Sequence, residues 1–221
     1  MDWEKYFNIA ELASGNYRSI LGYAAESLAI ARAMQCGYNL FFKAWRDSPY
    51  DGVLDYNGTL FRVEIKGTTT NSLSVTSGGR SGQQIDRESE SREHIISRNS
   101  VDFLIGVNNL NGDCYIIHSE ILEIFNNKSL SLEKIEVFKE KWMVFKGYSS
   151  LTTEIIKQGF LQMNVKDLEK IALNLNIEFS PGLLSYTIEW KGFKGGRLSG
   201  LTLEQYLALQ IWLKIYTWGN E

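Results

Sequence analysis

Asn57-Gly58 stands between two β-type runs, Asp51 to Tyr56 and Thr59 to Lys66. Both residues accept positive φ, which a two-residue type I′ turn requires, and the pair is the strongest short-range hairpin signal a sequence carries. Such a turn also fixes the pairing. Tyr56 faces Thr59, so paired residue numbers sum to 115 and Asp51 falls opposite Glu64. Opposed side chains on one face have Cβ atoms roughly 4.5–5.5 Å apart. Side chains alternate along a strand, so Lys66 shares the face of Glu64, while Leu54, Phe61, Val63 and Ile65 form the opposite, apolar face.

Like charges directly opposed destabilise a sheet. A divalent cation between them reverses the sign of that effect. Carboxylate oxygens suit a hard cation such as Mg²⁺, which commonly uses one or two carboxylates plus substrate phosphate. One face of the hairpin is thus expected to pack and the other to gather two acids and a lysine. The bland alternative is an exposed turn acid at Asp51 and an ordinary surface pair at Glu64 and Lys66.

The rest of the chain reads as α/β. Residues 1–36 are helical in pattern, with Ile20, Leu21, Ala24, Leu28 and Ala31 at helical spacing and Gly37 as a stop. Asn39 to Trp45 and Leu73 to Thr76 read as strands, and Ser77 to Gln84 as a Ser/Gly loop. Ile85 to Arg98 reads as a polar helix on which Arg87, Arg92 and Arg98, interleaved with acids, form a solvated face. Val101 to Val107 and Cys114 to His118 are apolar strands joined by the turn-rich Asn108 to Asp113. Helix, strands, helix and two strands predict a mixed sheet flanked by helices.

Composition changes near residue 148, which divides the chain into a core, 1–148, and an α-rich extension, 149–221. The extension holds a helix near Val165 to Leu175 and an apolar closing helix from about Leu203 to Trp218, with Thr202 and Gln205 at capping-box spacing. That last helix is too apolar all round for a solvated position. It is either docked under the core or part of a dimer interface.

Across 221 residues, 44% hydrophobic and 22% charged is the ordinary globular balance. The net charge of −3 argues against coating nucleic acid by bulk charge and leaves room for a local basic surface. Cys36 and Cys114 show no metal-ligand spacing, and two histidines, His94 and His118, cannot build a His-rich zinc site. The first residues show no secretory pattern, and the longest apolar stretches fall short of a membrane span. A cytoplasmic protein is expected.

Pro49-Tyr50-Asp51 followed by Glu64-Ile65-Lys66 resembles the motif of the PD-(D/E)XK nucleases, with Tyr50 departing at a loosely fixed position. Gly22-Tyr23-Ala24-Ala25-Glu26, with Ala29 and Ala33, resembles the first helix of junction-resolvase-like members, and Val101-Asp102-Phe103-Leu104 resembles the strand after their second core helix. The resemblance covers about residues 18–122. It implies a restriction-endonuclease-like core and metal-assisted phosphodiester hydrolysis with Mg²⁺, for which Mn²⁺ substitutes. It implies Asp51, Glu64 and the carbonyl of Ile65 as metal ligands. Lys66 would orient or deprotonate water and offset charge, and Glu26 would orient Lys66 or hold a second metal through water. It also implies double-stranded DNA as partner and a homodimer of restriction or homing type. A junction- or structure-specific nuclease of the same fold, or a non-catalytic nucleic-acid-binding protein retaining it, are the alternatives.

Two segments carry bases suited to DNA. Arg80, Gln83 and Gln84 lie in a Ser/Gly loop that contains no acid, and Lys191, Lys194 and Arg197 lie in an aromatic- and glycine-rich stretch without acids. The alternative for each is a plain surface loop.

Overall fold

The structure, a computed structural model, describes residues 14–42, 48–77, 93–146, 151, 153–182, 185–189 and 197–217. Helix α1, Ser14–Gln35, buries Ala25, Ala29 and Ala33, four residues apart, against the sheet. Their small side chains let the helix approach closely. The helix ends in a Schellman arrangement: Gly37 has φ 82°, its N–H donates to Met34 O at 3.0 Å, and Tyr38 N–H donates to Ala33 O at 3.0 Å.

Strands β1 (Asn39–Phe42), β2 (Gly52–Tyr56) and β3 (Thr59–Thr68) form an antiparallel meander. The chain then makes three short strands, β4 (Ser72–Ser74), β5 (Thr76–Ser77) and β6 (His94–Ile95). It re-enters the sheet at β7 (Phe103–Asn108), parallel to β3, and continues into antiparallel β8 (Cys114–His118). The sheet order is β1-β2-β3-β7-β8, a mixed sheet as expected. Its apolar face presents Leu54, Phe61, Val63, Ile65 and Phe103, all buried. The rings of Phe61 and Phe103 meet Phe145, with centroids 5.4 and 4.7 Å away. On the other face Leu73 of β4 sits on Gly106 so closely that a Cβ there would collide with it. After helix α2 (Ser119–Phe125), β9 (Ser129–Ser131) pairs with β4.

The helix expected over 85–98 is corrected where it falls within the described residues, 93–98. His94 and Ile95 form β6, paired with Ser77 and Thr76 of β5, and a turn follows at residues 98–100. Ile96 is fully buried and donates its N–H to Val75 O at 2.9 Å. Pairing with a segment far upstream outweighs the helical preference of a polar stretch. Arg98 is correspondingly not on a solvated helix face: its side chain is 22% exposed and turns inward to Glu120.

Residues beyond 148 pack into the same hydrophobic core as the sheet. They form α3 (Thr153–Gln158), α4 (Val165–Asn174), the hairpin β10 (Tyr186–Glu189) with β11 (Arg197–Leu201), and α5 (Leu203–Thr217). The capping box forms at α5: Gln205 N–H donates to Thr202 Oγ1 at 3.3 Å and Thr202 N–H to Gln205 Oε1 at 3.1 Å. This helix is docked under the core, which explains its all-round apolarity. Trp212 and Tyr216 are buried, and the Tyr216 hydroxyl accepts the N–H of His118 at 3.1 Å.

The attachment converges on one carboxylate. Glu120, fully buried, accepts the N–H of Phe160 at 2.8 Å, of Leu161 at 3.0 Å, and the indole N–H of Trp212 at 3.1 Å. Arg98 adds a charged donor at 3.4 Å. Burial pushes the carboxyl up, against the opposing pull of these donors. Gly159, with φ 80°, makes this possible: a Cβ there would lie 2.6 Å from Glu120 Cδ.

Candidate active site

The hairpin register is the one the turn predicts. Asn57 and Gly58 have φ 50° and 85°, and Tyr56 pairs with Thr59, Leu54 with Phe61, and Gly52 with Val63. The paired ladder ends at Gly52 and Val63; Asp51, just before it, donates its N–H to the same Val63 O at 2.9 Å, one residue off the register that would set it directly opposite Glu64. Asp51 and Glu64 are buried to 9% and 8% exposure. Asp51 is therefore not an exposed turn acid. Its Oδ2 accepts the N–H of Ile65 at 2.8 Å, so the carboxylate is fixed against the strand that bears Glu64. Lys66 Nζ lies 2.6 Å from Glu64 Oε1. Alternation along β3 places both on the face away from the core.

Helix α1 brings Glu26 to the same place. Glu26 and Lys66 line a cleft of about 290 Å³ together with Gly22, Thr68, Thr69 and Asn109. Gly67 allows this approach, because a Cβ on it would lie 2.7 Å from the Ala25 Cβ and 2.9 Å from Asn109 Nδ2.

A family model described as PD-(D/E)XK endonuclease matches residues 19–147, more than half of the chain. The chain belongs to the PD-(D/E)XK endonuclease family. No curated protein matches it. Among solved structures it is similar to a bacterial homing endonuclease, I-Ssp6803I, with a TM-score of 0.47 and 17% identity over 57% of this chain and 91% of that one.

In this PD-(D/E)XK chain Pro49-Tyr50-Asp51 lies just before β2 and Glu64-Ile65-Lys66 lies within β3, and the sheet and flanking helices form the α/β, restriction-endonuclease-like core. The donor chemistry suits a hard divalent cation: two buried carboxylates, one held in place by a backbone N–H, with a strand carbonyl between Glu64 and Lys66. Among the described residues no group of three or more His, Cys, Asp or Glu side chains is placed to hold a metal. The carboxylates alone therefore do not complete a coordination shell.

Three residues of the site escaped the sequence reading. Gly52 follows Asp51, and a Cβ on it would lie 2.6 Å from the carbonyl oxygen of Phe41, so any side chain forces β1 off β2. Gly67 follows Lys66 and was legible only as a glycine in a strand, a sign of close backbone approach. Asn109, inside the turn-rich linker, donates Nδ2 to Leu21 O at 3.1 Å and ties α1 to the end of β7. Its buried Oδ1 has no partner among the described residues.

Of the expected DNA contacts, Arg80, Gln83, Gln84, Lys191 and Lys194 lie outside the described residues. Arg197 opens β11 opposite Glu189, and its side chain lies outside the described atoms. Among the described residues no helix is long and apolar enough to cross a membrane.

Proposed function

We propose that this chain is a Mg²⁺-dependent endonuclease acting on double-stranded DNA, site-specific in the manner of a restriction or homing enzyme and working as a homodimer. The observation that carries this reading is the Asp51 carboxylate bound to the N–H of Ile65 at 2.8 Å, between Glu64 and Lys66, with Lys66 seated on Glu64 at 2.6 Å. A two-fold pair of such sites suits the cutting of both strands of a palindrome. The segment 149–221 is the proposed source of target recognition or dimerisation.

Asp51, Glu64 and the Ile65 carbonyl would hold the cation, and water and a substrate phosphate would complete its shell. A bound divalent cation supplies Lewis acidity toward the phosphoryl oxygen. Asp51, oriented by the Ile65 N–H, keeps its charge directed at the cation position. Lys66 presents an ammonium beside the scissile phosphate, orients the attacking water, and offsets charge that develops in the transition state. Glu26 faces Lys66 across the cleft and helps set its position.

The test is cleavage of linear duplex, supercoiled plasmid and four-way junction DNA in Mg²⁺, Mn²⁺ and EDTA. Wild type should give discrete fragments from linear duplex with either metal and none in EDTA. Asp51→Ala, Glu64→Ala and Lys66→Ala should each abolish them. Cutting of the junction alone would move the chain to the resolvase-type reading. Binding without metal-dependent cleavage of any form would leave a non-catalytic binding protein.

A further inference from the structure

The face of β3 that bears Glu64 and Lys66 also bears Arg62, two positions before Glu64 and opposite Val53. Arg62 opens into a second cleft of about 470 Å³, lined by Arg62, Arg98, Asp102, Glu154, Lys157 and Gln158. We propose that this cleft is a subsite for the sugar–phosphate backbone of the DNA substrate, holding a phosphate that flanks the one cut at Asp51 and Glu64. The proposal rests on the nuclease reading and adds to it the residues that hold the strand beside the reaction.

The guanidinium of Arg62 is held in advance. Nε and Nη2 donate to Asp102 at 3.4 and 2.8 Å, Nη2 also to Arg98 O at 3.1 Å, and Nη1 to Asn99 O at 3.4 Å. Asp102 in turn accepts the backbone N–H of Arg62 at 2.7 Å. Four of the five N–H groups of an arginine are thereby used. The one that remains is on a fork that loses little freedom on binding. Arg98 is anchored from behind, Nη1 on Glu120 at 3.4 Å and Nη2 on Lys157 O at 3.4 Å, which leaves the rest of its side-chain N–H groups without partners among the described residues. The Lys157 ammonium has no partner among the described residues. This is the pattern of a rigid cationic floor with one mobile cation at its rim.

Charge and position agree with that role. The acids facing the cleft are Asp102, spent on Arg62, and Glu154, against three bases. Glu120 lies behind Arg98 with its charge shared among four donors. In a chain of net charge −3, phosphate contacts must come from such local excesses. Two residues along a strand span about 7 Å. That is the scale of one step from phosphate to phosphate along a DNA strand, as a phosphate flanking the cut one requires. Tyr50, next to Asp51 in sequence, lies close to Arg62.

The experiment measures binding apart from cleavage. The full chain is titrated onto a short labelled DNA duplex in EDTA over a series of salt concentrations, followed by fluorescence anisotropy. Lys157→Ala should weaken binding about tenfold and reduce the slope of log K against log salt by about 0.9, the value for one phosphate contact. Lys157→Glu should weaken it further, and Lys157→Arg should restore both. In Mg²⁺ the same Lys157→Ala variant should raise KM and leave kcat within about twofold. Unchanged affinity and slope in Lys157→Ala and Lys157→Glu would overturn the subsite. Altered binding in a wild type that cuts nothing in Mg²⁺ would keep the subsite and remove the nuclease reading.

Discussion

The Asp51 carboxylate accepts the N–H of Ile65 at 2.8 Å, a bond between the residue that opens one strand and the residue that separates Glu64 from Lys66 on the next. The acid is thus positioned by the backbone of the strand that carries its partners. A side chain held this way loses little freedom when it binds a cation, and the geometry exists before any ligand arrives.

Asp51→Asn separates charge from position. The amide oxygen can still accept from Ile65, so the hairpin should persist and the Tm should move by less than about 4 °C. Cleavage should fall by about a hundredfold or more, because one of the two carboxylates proposed to hold the cation is gone. Parallel thermal melts and single-turnover cleavage check both halves. A large drop in Tm would mean that the charge itself supports the fold.

Gly52→Ala tests the packing behind the site. The added Cβ meets the Phe41 carbonyl oxygen at 2.6 Å, and a backbone atom of a paired strand yields only by shifting β1. The expected cost is about 1–3 kcal/mol, read from the urea midpoint at constant m.

Glu120→Ala removes the acceptor shared by Phe160, Leu161, Trp212 and Arg98. It leaves a buried cation and three N–H groups without their partner. The expected loss is about 3–5 kcal/mol, visible by urea unfolding followed through tryptophan fluorescence. Glu120→Gln, which keeps an acceptor, should lose clearly less.

His118 makes stability depend on pH. Burial, and after it the charge of Arg98, holds its imidazole well below the usual value of 6.5. The folded protein keeps it neutral, with Nδ1 accepting the Glu120 N–H at 3.2 Å. Below about 6.5 the unfolded chain binds a proton that the folded chain does not, so stability rises with pH there. The contribution is complete above that value and is lost on acidification, by at most about 1.4 kcal/mol per pH unit. Glu120, pushed up by burial, acts in the opposite sense above 4.5 and is present in both proteins compared. His118→Asn keeps a capping side chain and removes the titration. The urea midpoint of wild type should therefore fall more steeply between pH 7 and 5 than that of His118→Asn.

The hairpin and its acidic pair were legible because a two-residue turn is a local instruction and strand alternation carries it thirteen residues onward. The Gly37 stop and the Thr202–Gln205 cap were legible for the same reason: each rests on neighbours in sequence. The segment around His94 was not, since β6 exists only through its pairing with Ser77 and Thr76. Glu120 drew no reading from the sequence. Its partners stand 22, 40, 41 and 92 residues away, and no local pattern announces them. Arg62 and Arg98 were hidden by the same distance.

The Glu120 junction also sets an order in time. Its carboxylate is made 92 residues before Trp212, the donor that closes the set. At translation rates of about 5–20 residues per second, roughly five to twenty seconds separate the two. Throughout that interval the β8 end of the sheet lacks the helix that covers it, and the apolar surface around Phe103 and His118 is open to other chains. A ribosome paused before the codons of α5 would hold the nascent protein with that surface open, its hairpin already made and its foundation still missing.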